Sequence, residues 1–120
     1  MTKLAITVNG SEPSNVFPPM ILGSSGAACG YDVTLFFCPA GAPAMVKGEL
    51  EKIRDKGIKG MPDIVELWEG LLNLGGKVLV CELALEAKDL KAEDFREGVE
   101  IVGATAFLAS IEDATITFSF

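Results

Sequence analysis

The stretch Gly75-Gly76-Lys77-Val78-Leu79-Val80-Cys81-Glu82 decides the fold of this chain. Its glycine pair predicts a turn, and the apolar run that follows is typical of a parallel strand buried on both faces. The run ends in a thiol. Open α/β sheets place ligands and chemistry just outside the carboxyl ends of their strands. Cys81 is therefore either a small core side chain or the reactive atom of the protein, and the spacing alone leaves both interpretations open.

The pattern of apolar residues on both sides of this run predicts alternating strands and helices. Strands are expected at 3–8, 31–38, 77–82, 99–102 and 114–120. Helices are expected at 17–29, 44–54, 62–74 and 103–111, a short helical or irregular stretch at 83–90, and a helical turn at 92–97. Pro18 and Pro19 are expected in the first turn of the first helix, and Pro62 in the first turn of the third. This order predicts one α/β domain over residues 1–120, with a mainly parallel sheet and helices on both faces. The last strand is expected either inside the sheet or at an edge that another subunit covers.

Composition excludes several classes of protein. The chain has 49% apolar residues but no uninterrupted apolar run of about 18 residues, so it predicts no membrane span. Its first residues lack the pattern of a signal peptide and predict a strand instead. Three cysteines without dense spacing favour a reducing, cytoplasmic setting. A net charge of −7 without a basic stripe argues against nucleic acid as a partner.

The chain contains no histidine, and this absence narrows the chemistry further. It excludes Ser-His-Asp and Cys-His catalysis within the chain. No C-x-x-C spacing is present to hold zinc, and we expect no metal and no cofactor. The remaining possibilities are thiol chemistry, carboxylate chemistry or none.

The predicted strand order separates the three thiols. Cys38 and Cys81 both lie at carboxyl ends of predicted parallel strands, so they are expected to open onto the same sheet edge. Cys29 ends a helix that precedes a strand, which places it at the opposite edge, where a structural role is expected. Cys38 is either a strand-end core residue or a candidate resolving thiol for Cys81.

The turn after the first strand, Asn9-Gly10-Ser11, is expected to lie near the same edge. It is neither a G-x-G-x-x-G motif nor a P-loop, so it does not predict a nucleotide site. Its backbone N–H groups are candidates to line a pocket for Cys81. Glu82, which follows the thiol directly, is expected at the same pocket.

The residues around Cys81 resemble the DsrE/DsrF-like sulfur-carrier family. The resemblance rests on the opening stretch, on Leu90, and on Gly98-Val99-Glu100-Ile101-Val102-Gly103-Ala104 in the order that the family shows. Gly30-Tyr31-Asp32-Val33-Thr34-Leu35-Phe36-Phe37 is similar to the second-strand region of the same family. Within the family, the chain looks most like the stand-alone branch that carries a peroxiredoxin label.

The resemblance implies a three-layer α/β/α domain of DsrEFH type with a five-stranded parallel sheet, assembled as a homotrimer or homohexamer. It also implies a sulfurtransferase-like activity, in which Cys81 accepts sulfane sulfur as a persulfide. The partners would be sulfur donors and acceptors, either proteins or small thiols. Two alternatives stay open: a non-catalytic oligomeric interaction subunit, and a small-molecule-binding module that uses the strand-end crevice.

Overall fold

A computed structural model describes residues 1–120 as five strands and five helices. The strands are β1 (Lys3–Val8), β2 (Asp32–Phe37), β3 (Lys77–Cys81), β4 (Val99–Val102) and β5 (Ile116–Ser119). The helices are α1 (Pro13–Ala28), α2 (Glu49–Asp55), α3 (Ile64–Asn73), α4 (Leu83–Ala87) and α5 (Ala104–Ser110). Short 3₁₀ turns cover Ala42–Met45 and Ala92–Asp94. None of these helices is both long enough and apolar enough to cross a membrane.

The five strands form one parallel sheet in the order β4-β3-β2-β1-β5. This confirms the predicted α/β class and the predicted five-stranded parallel sheet. From β1 to β4, each new strand is added on the same side of the sheet. The connection from β4 to β5 then crosses back, so that β5 pairs with the other side of β1. The last strand is therefore an edge strand and not an inner one.

The two faces of the sheet are covered unequally. One face carries the main core, a cluster of 23 buried residues that α1, α2 and α3 pack against. The other face carries a cluster of only four, Phe36, Leu79, Cys81 and Phe107. The asymmetry follows from topology, because only the connection from β4 to β5 reverses direction and carries its helix to the second face. The layer above Cys81 is therefore a single short helix.

The first helix begins earlier than predicted. It starts at Pro13, where the fixed proline φ suits the first helical position, and Pro18 and Pro19 lie inside it rather than in its first turn. Each internal proline lacks the N–H that would pair with the carbonyl of the preceding turn. The prediction was wrong because it gave the first turn to the proline pair and overlooked Pro13.

Two other predicted helices differ from the observed ones in their boundaries. The helix expected at 44–54 divides into the 3₁₀ turn and α2, with Gly48 between them at a φ of 85°. The helix expected at 62–74 begins at Ile64, because the Asp63 carboxylate accepts hydrogen bonds from the N–H groups of Val65 and Glu66. Pro62 therefore precedes the cap and does not lie in the first turn.

An ion pair joins the helical layer to the connection that leads into β4. The guanidinium of Arg96 donates to both oxygens of Glu51, at 2.9 and 3.2 Å. The same guanidinium lies 5.0 Å from the ring centre of the buried Trp68, a cation–π contact. The Glu51 carboxyl has a pKa below its ordinary value, chiefly because Arg96 donates to it. These contacts hold the segment that positions β4 beside Cys81.

Candidate functional site

The two strand-end thiols lie side by side at one edge of the sheet. Cys81 is the last residue of β3, and Cys38 directly follows β2. The strands pair so that Phe37 lies opposite Val80, which brings the next residue of each strand, a cysteine, to the same level. Neighbouring strands lie about 4.8 Å apart, so the two thiols are neighbours. Cys29 is exposed at the end of α1, away from this pair.

Cys81 is covered rather than open. It is 4% exposed and packs in the small cluster with Phe36, Leu79 and Phe107, while Cys38 packs against the same cluster and is partly exposed. Phe107 is the only buried residue of α5, and its ring stacks on Phe36 with centres 4.2 Å apart. A single side chain thus anchors the helix that covers the thiol.

The surroundings of Cys38 favour the protonated form of its thiol. Burial raises its pKa above the ordinary value, and the neighbouring Cys81 acts in the same direction. The Cys38 backbone N–H opposes both effects more weakly. Cys38 is consequently a slow nucleophile at neutral pH, since the thiolate is the form that attacks.

Glu82 lies where two elements begin. It precedes α4, and its N–H donates to the carbonyl of Val102 at 2.9 Å, so that N–H is not available to a sulfur atom. Its carboxylate lies against Gly103 at the start of α5, where an added Cβ would come within 3.0 Å of Oε1. Glu82 therefore lies beside the cover of the thiol as well as beside the thiol in sequence.

The residues of the turn after β1, Asn9 to Ser11, do not all lie at the thiol edge of the sheet. The N–H of Asn9 donates to the carbonyl of Phe120, and the β1–β2 register brings Asn9 to the level of Cys38. Gly10 is pressed against the side chain of Asn15, which an added Cβ would overlap. Ser11 instead lines a separate cavity of about 260 Å³ on the side of α2. No pattern in the sequence marks Asn15, since only the close approach at Gly10 reveals it.

The largest cavity lies on the second face, between α5 and the strands β3 and β4. It measures about 520 Å³. Its lining includes the charged Lys77 and Glu100 and the apolar Leu79 and Val102, of which the last two also contact the Cys81 cluster. The sequence signal for this cavity was the alternation of side chains between the two faces of β3 and β4, which places these four side chains on the same face as Cys81.

Comparisons with known proteins identify a family and several relatives of this chain. The model of the DsrE/DsrF-like family matches residues 3–120. The chain is 26% identical to the sulfur carrier protein DsrE2 of Allochromatium vinosum, over 88% of this chain and 89% of that protein. It is 33% identical over 75 residues to the uncharacterized protein MJ0760 of Methanocaldococcus jannaschii. That second match covers 62% of this chain but only 26% of the relative.

Two solved structures share the fold. The ychN protein from E. coli superimposes with a TM-score of 0.79 at 18% identity, over the whole of both chains. MTH1491, a protein of unknown function from Methanobacterium thermoautotrophicum, superimposes with a TM-score of 0.71 at 13% identity, over 98% of this chain and 97% of its own. At these identities the likeness concerns the fold alone. Because the family model spans nearly the whole chain, the protein belongs to the DsrE/DsrF-like family.

Proposed function

We propose that this protein is a sulfur carrier that holds sulfane sulfur as a persulfide on Cys81 and passes it to a partner thiol. Membership of the family and similarity to a sulfur carrier protein support a role in sulfur relay in general. The observation that carries the finer proposal is the position of Cys81 at the carboxyl end of an inner parallel strand, with a second thiol at its side. The partners would be donor and acceptor proteins or small thiols.

The proposed transfer is a pair of thiol exchange reactions. The Cys81 thiolate attacks the outer sulfur of a donor persulfide, forms a new S–S bond and releases the donor as a thiolate. An acceptor thiolate then attacks the outer sulfur of the Cys81 persulfide, and Cys81 leaves as a thiolate. Neither step needs an external oxidant or reductant. Because Cys81 is 4% exposed, both steps require α5 to move aside first.

Cys38 is proposed as a resolving thiol. Its thiolate would attack the inner sulfur of the Cys81 persulfide, form a Cys38–Cys81 disulfide and release hydrosulfide. The strand register supports this role, because adjacent strands bring the two Cα atoms within the range that a disulfide spans. The raised pKa of Cys38 makes this reaction slow at neutral pH, which would preserve the persulfide until an acceptor arrives.

Intact mass spectrometry tests the carrier function. We expect incubation with a persulfide donor to add the mass of one sulfur atom, and we expect Cys81→Ser to abolish the addition. Cys29→Ser is the matched control and should load normally. If the Cys81→Ser protein still gains a sulfur atom, another residue carries the sulfur. If the native protein takes up no sulfur and Cys81 resists alkylation, the non-catalytic interaction subunit becomes the better interpretation.

We also propose that the protein assembles with further copies of itself through the outer face of α1. This helix has 16 residues and no charged side chain, in a chain of net charge −7. Apolar grooves flank it on both sides, one lined by Phe17, Ile21 and Met61, the other by Leu22 and Phe118. Strongly acidic copies repel one another, so an uncharged helix is the surface where they can meet at the lowest electrostatic cost. A homotrimer or homohexamer is the expected assembly.

The remaining proposals concern location and extent. Three free cysteines support a reducing, cytoplasmic location. We treat residues 1–120 as a single DsrE/DsrF-like domain, which agrees with the span of the family match.

A further inference from the structure

We propose that the cavity between α5 and the strands β3 and β4 binds a zwitterionic low-molecular-weight thiol, an amino acid or short peptide, that exchanges sulfur with Cys81. The inference rests on the proposed carrier function and names the class of small thiol that the site selects.

The cavity has the size and the floor of a small-molecule site. Its volume of about 520 Å³ lies within the range of roughly 300–1,000 Å³ that is usual for such sites. Leu79, Val102 and Ala106 give it an apolar floor. Gly76 and Gly98 border it without side chains. It therefore offers room for an amino-acid-sized molecule beside an apolar surface.

Two opposite charges at the cavity match an amino acid. Lys77 and Glu100 lie on adjacent strands, line the same cavity and take part in none of the ion pairs of this chain. The Lys77 ammonium is available to a ligand carboxylate, and the Glu100 carboxylate is available to a ligand ammonium. A ligand that carries only one of these groups leaves one protein charge without a partner.

The cavity borders the cluster around the thiol, although Cys81 itself does not line it. Leu79 and Val102 both line the cavity and contact the Cys81 cluster, and Val102 pairs directly with Cys81 in the sheet. Glu100 lies two residues before that level, a distance of about 7 Å along the strand. An amino-acid thiol held by its ammonium at Glu100 spans this distance with its sulfur directed toward Cys81, once Phe107 has moved aside.

The reaction is the loading step already described, with a defined donor. The Cys81 thiolate attacks the outer sulfur of the bound amino-acid persulfide, and the amino acid leaves as its thiolate. The proton on the outer sulfur is transferred with it, so atoms and charge balance.

Three donors that differ by one charged group test the proposal. Loading of Cys81 in the full chain is followed by intact mass with cysteine persulfide, cysteamine persulfide, which lacks the carboxylate, and N-acetylcysteine persulfide, which lacks the ammonium. We expect cysteine persulfide to load fastest. Lys77→Gln should reduce the preference for cysteine persulfide over cysteamine persulfide about fivefold, which is the effect of losing one exposed ion pair. Glu100→Gln should reduce the preference for cysteine persulfide over N-acetylcysteine persulfide by a similar factor, for the same reason.

Matched substitutions on α4 and at the residue that follows it serve as controls. Lys88→Gln and Glu86→Gln remove the same charges from exposed positions that do not line the cavity, and both should keep the wild-type preferences. Equal loading by all three donors would overturn the proposal, as would preferences that Lys77→Gln and Glu100→Gln leave unchanged or that the controls change equally. Loading of Cys81 without donor preference would still support the carrier, whereas no loading by any donor would contradict the carrier itself.

Discussion

At the scale of single residues, neighbouring groups determine how each ionisable side chain behaves. Arg96 and Glu51 pair through two hydrogen bonds, and Trp68 lies against the guanidinium. We expect Arg96→Met to lower the free energy of unfolding by about 1–2 kcal/mol at neutral pH. The folded-state pKa of Glu51 is lowered, so its contribution is present above the unfolded pKa and is lost as pH falls through the folded one. Chemical denaturation near pH 7 and near pH 3 should therefore show the difference between the two proteins shrinking in acid. If the difference in free energy of unfolding persists in acid, it arises from packing of Arg96 on Trp68 alone.

Neighbouring groups also determine the reactivity of Cys38. Burial raises its pKa, and Cys81 adds to the rise. We expect the alkylation rate of Cys38 to reach half its maximum above about pH 8.5, the ordinary value for a free thiol. Cys81→Ser should move this midpoint downward without restoring the ordinary value, because the burial remains. Peptide mass spectrometry across a pH series measures both midpoints. An unchanged midpoint in Cys81→Ser would contradict the coupling between the two thiols.

At the scale of elements, α5 decides whether Cys81 can react. Phe107 is its only buried residue, and Leu108 on its outer side is 62% exposed. We expect Phe107→Ala to raise the rate of native-state alkylation of Cys81 by about tenfold or more, because truncation of a buried aromatic ring removes about 3 kcal/mol or more of packing. Phe95→Ala, equally buried but in the main core, is the control. If it accelerates alkylation as much, global unfolding and not movement of α5 exposes the thiol.

The sequence predicted the elements that local patterning determines. The run ending at Cys81 and the strand ending before Cys38 were predictable, since apolar runs and glycine turns mark parallel strands. From them followed the shared edge of the two thiols. Two features were not predictable, because both depend on how distant connections cross the sheet. The first is that only the short helix α5 covers Cys81, and the second is that Ser11 lines a separate cavity. The start of α1 was missed for a local reason, since Pro13 took the position assigned to Pro18 and Pro19.

At the scale of the whole molecule, charge and apolar surface are separated. The uncharged α1 and its flanking grooves contrast with the acidic remainder of the chain. We expect Met61→Glu to dissociate the proposed oligomer, because Met61 is 44% exposed and lines one groove. Lys59→Glu alters the charge of the same loop more strongly but lies outside both grooves, so it should leave the assembly intact. Light scattering coupled to size-exclusion chromatography measures both masses. A monomeric wild-type protein, or dissociation by Lys59→Glu alone, would contradict this interface.

Peptide mapping of a loading and chase experiment shows whether Cys81 carries transferable sulfur. The protein is loaded with a persulfide donor, freed of the donor, blocked with an alkylating agent before or after addition of an acceptor thiol, and digested. We predict that the peptide containing Cys81 gains one sulfur atom on loading and loses it to the acceptor, while the peptide containing Cys29 gains none. Sulfur found mainly on the Cys29 peptide, or retained on Cys81 in the presence of the acceptor, would contradict the account.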